Sequence, residues 1–151
     1  MADERYWFLN SLVVVRASYT EGPDGLTAID HRVPAGDAPP LHVHRTEDEV
    51  FVVLEGELRV VIGGQERWAK AGDSLCAPQN VPHGYRVVSP DGARFVTITA
   101  HGDFERFVKA VARPVQGDGL PAASVPTSEQ IADLAETAKK FGIEFVGPPL
   151  E

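Results

Sequence analysis

The sequence predicts an all-β fold, a sandwich or barrel, followed by a helical C-terminal segment. Two observations carry this. From residue 11 to residue 100, short β-branched and apolar runs recur between clusters of Gly, Pro, Asp and Asn, the pattern of strands joined by tight turns. After residue 100 the spacing of apolar residues changes to the i, i+3, i+4, i+7 pattern of amphipathic helices. A chain of 151 residues without internal repeats or low-complexity segments fits one domain spanning 1–151. At that length ~70% of the unfolded surface can be buried, so no disulfide or metal staple is needed to fold.

The strands are taken in order. SLVVVRAS (11–18) is β-branched and ends at the turn signal EGPDG (21–25). LTAIDHRV (26–33) stops at Pro34, and APPLHVH (38–44) leads into the charged segment RTED, read as a hairpin turn. EVFVVLEG (49–56) is a nearly continuous apolar run, as in a strand covered on both faces. ELRVVI (57–62) precedes Gly63-Gly64, a tight hairpin signal. SLCAP, HGYRVVS (83–89) and ARFVTITA (93–100) complete the series, the last two separated by the turn PDG.

Two helices follow. DFERFVKAVAR (103–113) places Phe104, Phe107, Val108 and Val111 on one face, with Asp103 expected as N-cap. TSEQIADLAETAKKFG (127–142) begins with a capping-box pattern, Thr127 and Gln130, and ends at Gly142. The Pro/Gly-rich stretch 114–126 between them reads as a loop, and IEFVGPP as a last short strand. The helical extension therefore covers about 103–151 and the barrel about 11–100.

Twenty-two acidic against 14 basic residues give a formal charge of -8, which argues against nucleic-acid binding. The single cysteine, Cys76, excludes an intramolecular disulfide and is expected as a buried small hydrophobe. No apolar run approaches the ~20 residues of a membrane span, and LVVV is too short for a signal-peptide core, so the expected location is cytoplasmic, with no membrane partner.

The chemistry concentrates in HVHRTEDE. Alternate residues of a strand share a face, so His42 and His44 aim their imidazoles together while Leu41 and Val43 point away. Glu49 stands at the start of the next apolar run, where an unpaired carboxylate is costly to bury. Glu47 and Asp48 read as solvated turn acids. His83 opens a later strand and would complete the set if that strand lay across the barrel. Imidazole and carboxylate without thiolate suit a divalent transition metal, Fe, Mn, Ni, Co, Cu or Zn.

Segment 36–56 resembles the first motif of the cupins, in Gly36, His42, His44, Glu49 and Gly56, with every spacing met. Segment 72–87 resembles the second through Gly72, Pro78 and His83. Asn80 replaces the usual Gly, and Asn tolerates the left-handed turn conformation best among the other residues. Val87 replaces the usual Asn. The resemblance implies a double-stranded β-helix, or jelly-roll barrel, with His42, His44, Glu49 and His83 as metal ligands. The C-terminal pattern of helix, Gly/Pro loop and helix resembles single-domain cupins related to bacterial quercetin 2,3-dioxygenases. That implies a dioxygenase that opens a flavonol ring with O2 and releases carbon monoxide, with Glu49 as general base. A non-redox isomerase, cyclase or lyase, and a small-molecule-binding module, use the same ligand set.

Phe51 and Val53 share parity with Glu49, and Tyr85 with His83; with Phe95 they are the expected lining of a substrate pocket. His31 is read as structural and His101 as a surface residue. A homodimer is expected on family resemblance, with the apolar RYWFLNSLVVV adding a strand to a neighbour's sheet edge.

Overall fold

The computed structural model describes residues 4–21 and 24–151. Gly22 and Pro23, part of the expected turn at 21–25, lie outside the described residues. The strands are β1 (Glu4–Phe8), β2 (Ser11–Tyr19), β3 (Leu26–Val33), β4 (Pro40–His44), β5 (Glu49–Glu55) and β6 (Glu57–Ile62). They continue with β7 (Gln65–Lys70), β8 (Ser74–Ala77), β9 (His83–Val87), β10 (Ala93–Ala100), the two-residue β11 (Arg113–Pro114) and β12 (Ile143–Pro149). The helices are α1 (Asp103–Val111) and α2 (Ser128–Lys139). None among the described residues is long and apolar enough to cross a membrane.

The strands form two antiparallel sheets. One has seven strands in the order β11-β1-β2-β3-β10-β5-β8 and the other five in the order β12-β4-β9-β6-β7. Interleaving strands from distant parts of the chain between two facing sheets is the double-stranded β-helix. Inward residues fill the space between them: Val33, Phe51, Val53, Leu58, Val60, Val87 and Phe95 make one buried cluster. A second cluster, Phe8, Val13, Ile29, Phe104, Phe107, Val108, Ala138 and Ile143, lies where the helices pack on the barrel. β5 alternates buried and half-buried residues; its outer face is not fully covered, contrary to the reading of a strand covered on both sides.

Local chemistry explains several turns. Gly63 and Gly64 adopt positive φ between paired β6 and β7, as a two-residue hairpin requires. Asn80 has φ 66°, so the turn survives the replacement of Gly. The capping box at Thr127 and Gln130 is formed in both directions. Asp103 is the first helical residue rather than the N-cap; that position is Gly102. The Asp103 carboxylate instead accepts from the Thr46 hydroxyl at 2.6 Å and pairs with Arg106 at 3.0 Å.

Three features differ from the sequence reading. RTED is not a hairpin: β4 and β5 belong to different sheets, so residues 45–48 cross from one to the other. The sheets extend beyond 11–100, because β1, β11 and β12 join them. RYWFLNSLVVV makes an intrachain hairpin, with Tyr6 opposite Val13 and Trp7 opposite Leu12, and β11 covers part of the outer edge of β1. The segment thus has its strand partners within the chain.

Candidate metal centre

Each cluster residue is placed by a strand. His42 and His44 project inward from β4, and His83 stands opposite His42 in the neighbouring β9. Glu49 comes from the start of β5, in the other sheet. The carboxylate is therefore the group that reaches across the barrel, and His83 the one beside the pair. The sequence reading had these two relations reversed, because it took residues 45–48 as a hairpin. All four residues each offer a donor atom within 4.8 Å of the others.

The second atoms of the rings fix their orientation. His42 Nδ1–H donates to the Pro40 carbonyl at 2.7 Å, and His83 Nδ1–H donates to the Val81 carbonyl at 3.0 Å. A carbonyl only accepts, so Nδ1 carries the proton in both and Nε2 is turned toward the cluster. Such outer contacts orient metal-ligating histidines in general. Glu49 Oε2 lies 2.9 Å from His83 Nε2 and 3.4 Å from His44 Nε2.

Burial sets the protonation of the imidazoles. It pushes His42 down to about 3, helped by the neighbouring His83 and His44. Burial also lowers His44, against the pull of Glu49. Glu49 is held at about 2: burial alone would raise it, but His44, His83 and His42 together outweigh that. His83 moves upward, because the hydrogen bond to Glu49 and its charge outweigh the burial that would lower it. An acceptor nitrogen facing a carboxylate oxygen at 2.9 Å needs a proton or a metal ion between them.

A cation fits this cluster on two structural grounds. Among the described residues, both ring nitrogens of His44 are buried without a hydrogen-bond partner, a condition that costs about 1–3 kcal/mol for each buried polar group left unmatched. An ion bound at Nε2 would satisfy one of them. Donors bonded to one ion at ~2.0–2.2 Å stand roughly 3–4 Å apart, close to the separations found here.

His42, His44 and Glu49 of the cluster line a cavity of about 750 Å³ whose lining is mainly apolar. Of the pocket residues expected from sequence, Phe51, Tyr85 and Phe95 line it. Val53 does not; it is 1% exposed and packs in the inter-sheet core. It shares the inward face of β5 with Phe51 and Glu49, but farther along the strand the space is filled by side chains. Burial raises the Tyr85 hydroxyl well above its ordinary value, so the phenol is neutral. The lining also includes Phe104 and Phe107 of α1, Gln130, Ile131 and Leu134 of α2, and Phe145 of β12.

Two further residues depart from the sequence reading. Glu47 is 1% exposed, not solvated; its neighbour Asp48 is exposed. Cys76 is exposed rather than buried. His31, read as structural, is buried and bonded to Thr97 in line with that reading, and its ring also lines the cavity. The missed signal at His31 was its inward parity in LTAIDHRV, shared with Ile29 and Val33.

Residues 30–99 match the model of the cupin domain family. The chain is 29% identical over 137 residues to a quercetin 2,3-dioxygenase of Bacillus subtilis, an alignment covering 89% of this chain and 40% of that protein. It is 33% identical over 51 residues to an uncharacterized protein of Methanocaldococcus jannaschii, covering 34% of this chain and 41% of the other. The chain thus spans about two fifths of the length of these curated relatives. Among solved structures, an RmlC-like cupin from Shewanella frigidimarina superposes with a TM-score of 0.52 at 25% identity, covering 61% of this chain and 77% of that one. KdgF from a Halomonas species shares the fold at a TM-score of 0.51 and 24% identity, over 62% and 83% of the two chains. Sequence and fold agree: residues 30–99 carry a cupin domain, and the chain has the cupin fold.

Proposed function

We propose that this protein is a metal-dependent dioxygenase of the quercetin 2,3-dioxygenase-like type, acting with O2 on a small aromatic or enolisable substrate. One observation carries the reading: three histidines and one carboxylate converge, and His42, His44 and Glu49 of that cluster open onto a large cavity lined by aromatic rings. The similarity to the Bacillus subtilis enzyme over 89% of this chain supports it.

His42, His44, His83 and Glu49 would hold one divalent transition metal. Such an ion would supply Lewis-acid chemistry, lowering the pKa of a substrate hydroxyl. The chain's own residues do the rest. The Glu49 carboxylate would take the proton of the substrate hydroxyl. Phe51, Phe95 and Phe104 hold a flat substrate and keep water from it. The backbone carbonyls of Pro40 and Val81 keep His42 and His83 in register throughout.

The test is metal analysis of the purified protein, then an oxygen-electrode screen of the metal-loaded protein with flavonols, β-diketones and catechols, with His44→Ala as control. The expected result is one metal per chain and oxygen uptake that the variant loses. Metal-loaded protein that consumes no oxygen with any of these overturns the dioxygenase reading. Full turnover with zinc in the absence of oxygen assigns a non-redox isomerase or lyase instead. Tight binding without turnover assigns a binding module.

A further inference from the structure

Six rings form a closed circuit of contacts, and all but His83 line the cavity. His44 meets Phe104 at a centroid distance of 5.6 Å, Phe104 meets His31 at 6.0 Å, and His31 stacks on Phe95 at 4.9 Å and 14°. Phe95 meets Phe51 at 5.8 Å, Phe51 meets His83 at 6.1 Å, and His83 returns to His44 at 5.2 Å. Two of the six belong to the candidate metal cluster, and three are phenylalanines. His31 is the remaining member, and it brings two polar atoms into a position where a phenyl ring would satisfy the packing.

A buried imidazole is costly unless its nitrogens are matched. His31 Nε2 is matched, lying 2.9 Å from the Thr97 hydroxyl. Nδ1 has no hydrogen-bond partner among the described residues. Unlike both nitrogens of His44, it is not sealed inside the protein, and the ring lines the cavity. Its partner therefore comes from whatever fills the cavity. Burial holds the ring at about 4, although Glu49 and Asp30 pull upward, so it is a neutral group that does not repel a nearby cation.

We propose that His31 is a specificity-determining residue whose Nδ1 hydrogen-bonds a hydroxyl or carbonyl on the substrate, remote from the group held at the four-residue cluster. This deepens the reading of the preceding subsection and rests on it. The ligand class narrows from any flat apolar chelator to polyhydroxylated aromatics with two separated polar ends. A site built to hydrogen-bond such a group discriminates against the analogue that lacks it, because its own polar atom is then left unmatched.

The test is anaerobic binding of two flavonols to zinc-loaded protein, followed by absorption titration. 3-Hydroxyflavone carries only the hydroxyketone chelating pair; quercetin carries the same pair and four further hydroxyls. His31→Phe keeps the ring and its stacking, and His31→Gln keeps a polar end. Zinc content and thermal midpoint serve as folding checks for both. The expected result is that His31→Phe weakens quercetin binding about tenfold, the scale of one lost hydrogen bond, and leaves 3-hydroxyflavone within about twofold. His31→Gln should recover part of the quercetin affinity. Equal losses for both flavonols, or no loss for either, overturn the assignment of His31 and leave the flavonol reading standing. If wild-type protein binds neither flavonol, the flavonol reading falls and the assignment falls with it.

Discussion

The backbone N–H of Phe104 donates to Glu47 Oε1 at 2.5 Å. Glu47 lies between His44 and Glu49 in the segment that crosses between the sheets, and Phe104 belongs to the first turn of α1. One hydrogen bond thus ties the ligand-bearing crossover to the helix that forms part of the cavity wall. The first N–H groups of a helix have no intrahelical partner, and a carboxylate there is favourable. The Thr46 hydroxyl bond to Asp103 adds a second tie between the same segments.

Glu47→Ala removes that acceptor from a fully buried position. The N–H of Phe104 is left unmatched, and the expected cost is about 1–3 kcal/mol. Glu47→Gln keeps an oxygen acceptor and should lose less. Urea denaturation of the two variants against wild type measures both; equal losses would show that the bond to Phe104 is not what makes Glu47 matter.

Metal loading should stabilise the fold, since the cluster draws on both sheets. At a free metal concentration 100-fold above Kd the gain is about 2.7 kcal/mol. For a chain of this size that corresponds to a rise of roughly 5–10 °C in Tm. Chelator should reverse the shift, and His44→Ala should abolish it. Calorimetric scans with and without chelator decide the matter.

Asp30 predicts a pH effect separate from the cluster. Burial would raise its pKa, but hydrogen bonds from Arg94 and Arg16, with their charges, outweigh burial and lower it. Arg94 contacts it at 2.8 Å and Arg16 at 3.1 Å. A carboxylate whose folded pKa lies below the unfolded value of about 3.9 contributes stability above that pH and loses it as pH falls through the folded pKa. Asp30→Asn should therefore be less stable than wild type at pH 7, with the gap closing below about pH 4. Urea midpoints of the pair from pH 7 to pH 2 give the comparison; a gap independent of pH would refute the linkage.

Gly56 and Gly64 separate backbone strain from close approach. Both have positive φ, where a side chain costs roughly 1–2 kcal/mol. A Cβ at Gly56 would stand 2.5 Å from the Gly92 carbonyl oxygen and 2.9 Å from Ala93 Cα, whereas one at Gly64 meets nothing within 4 Å. Gly56→Ala should thus be clearly more destabilising than Gly64→Ala. Similar denaturation midpoints for the two variants would remove the role given to close packing at 56.

The sequence by itself determined much of what local periodicity and spacing govern. Alternate residues of a strand share a face, so the inward set of His42, His44, Glu49 and His83 was legible, as was the inward parity of Phe51, Tyr85 and Phe95. Turn chemistry was equally local: Gly63-Gly64, Asn80 and the Thr127–Gln130 capping box all form as their residues predict. Tertiary structure decided which sheet each strand joins, since pairing is a contact between distant segments that no local pattern records. That choice put Glu49 across from the histidines and His83 beside His42. It also placed β12 against β4, with Phe145 opposite His42, at the cavity. Parity says that a residue points inward, not how far along the barrel it sits; depth alone separates Phe51 in the cavity from Val53 in the core. Depth, too, buried Glu47 under α1 and set His31 opposite Phe95 in the ring of aromatic side chains.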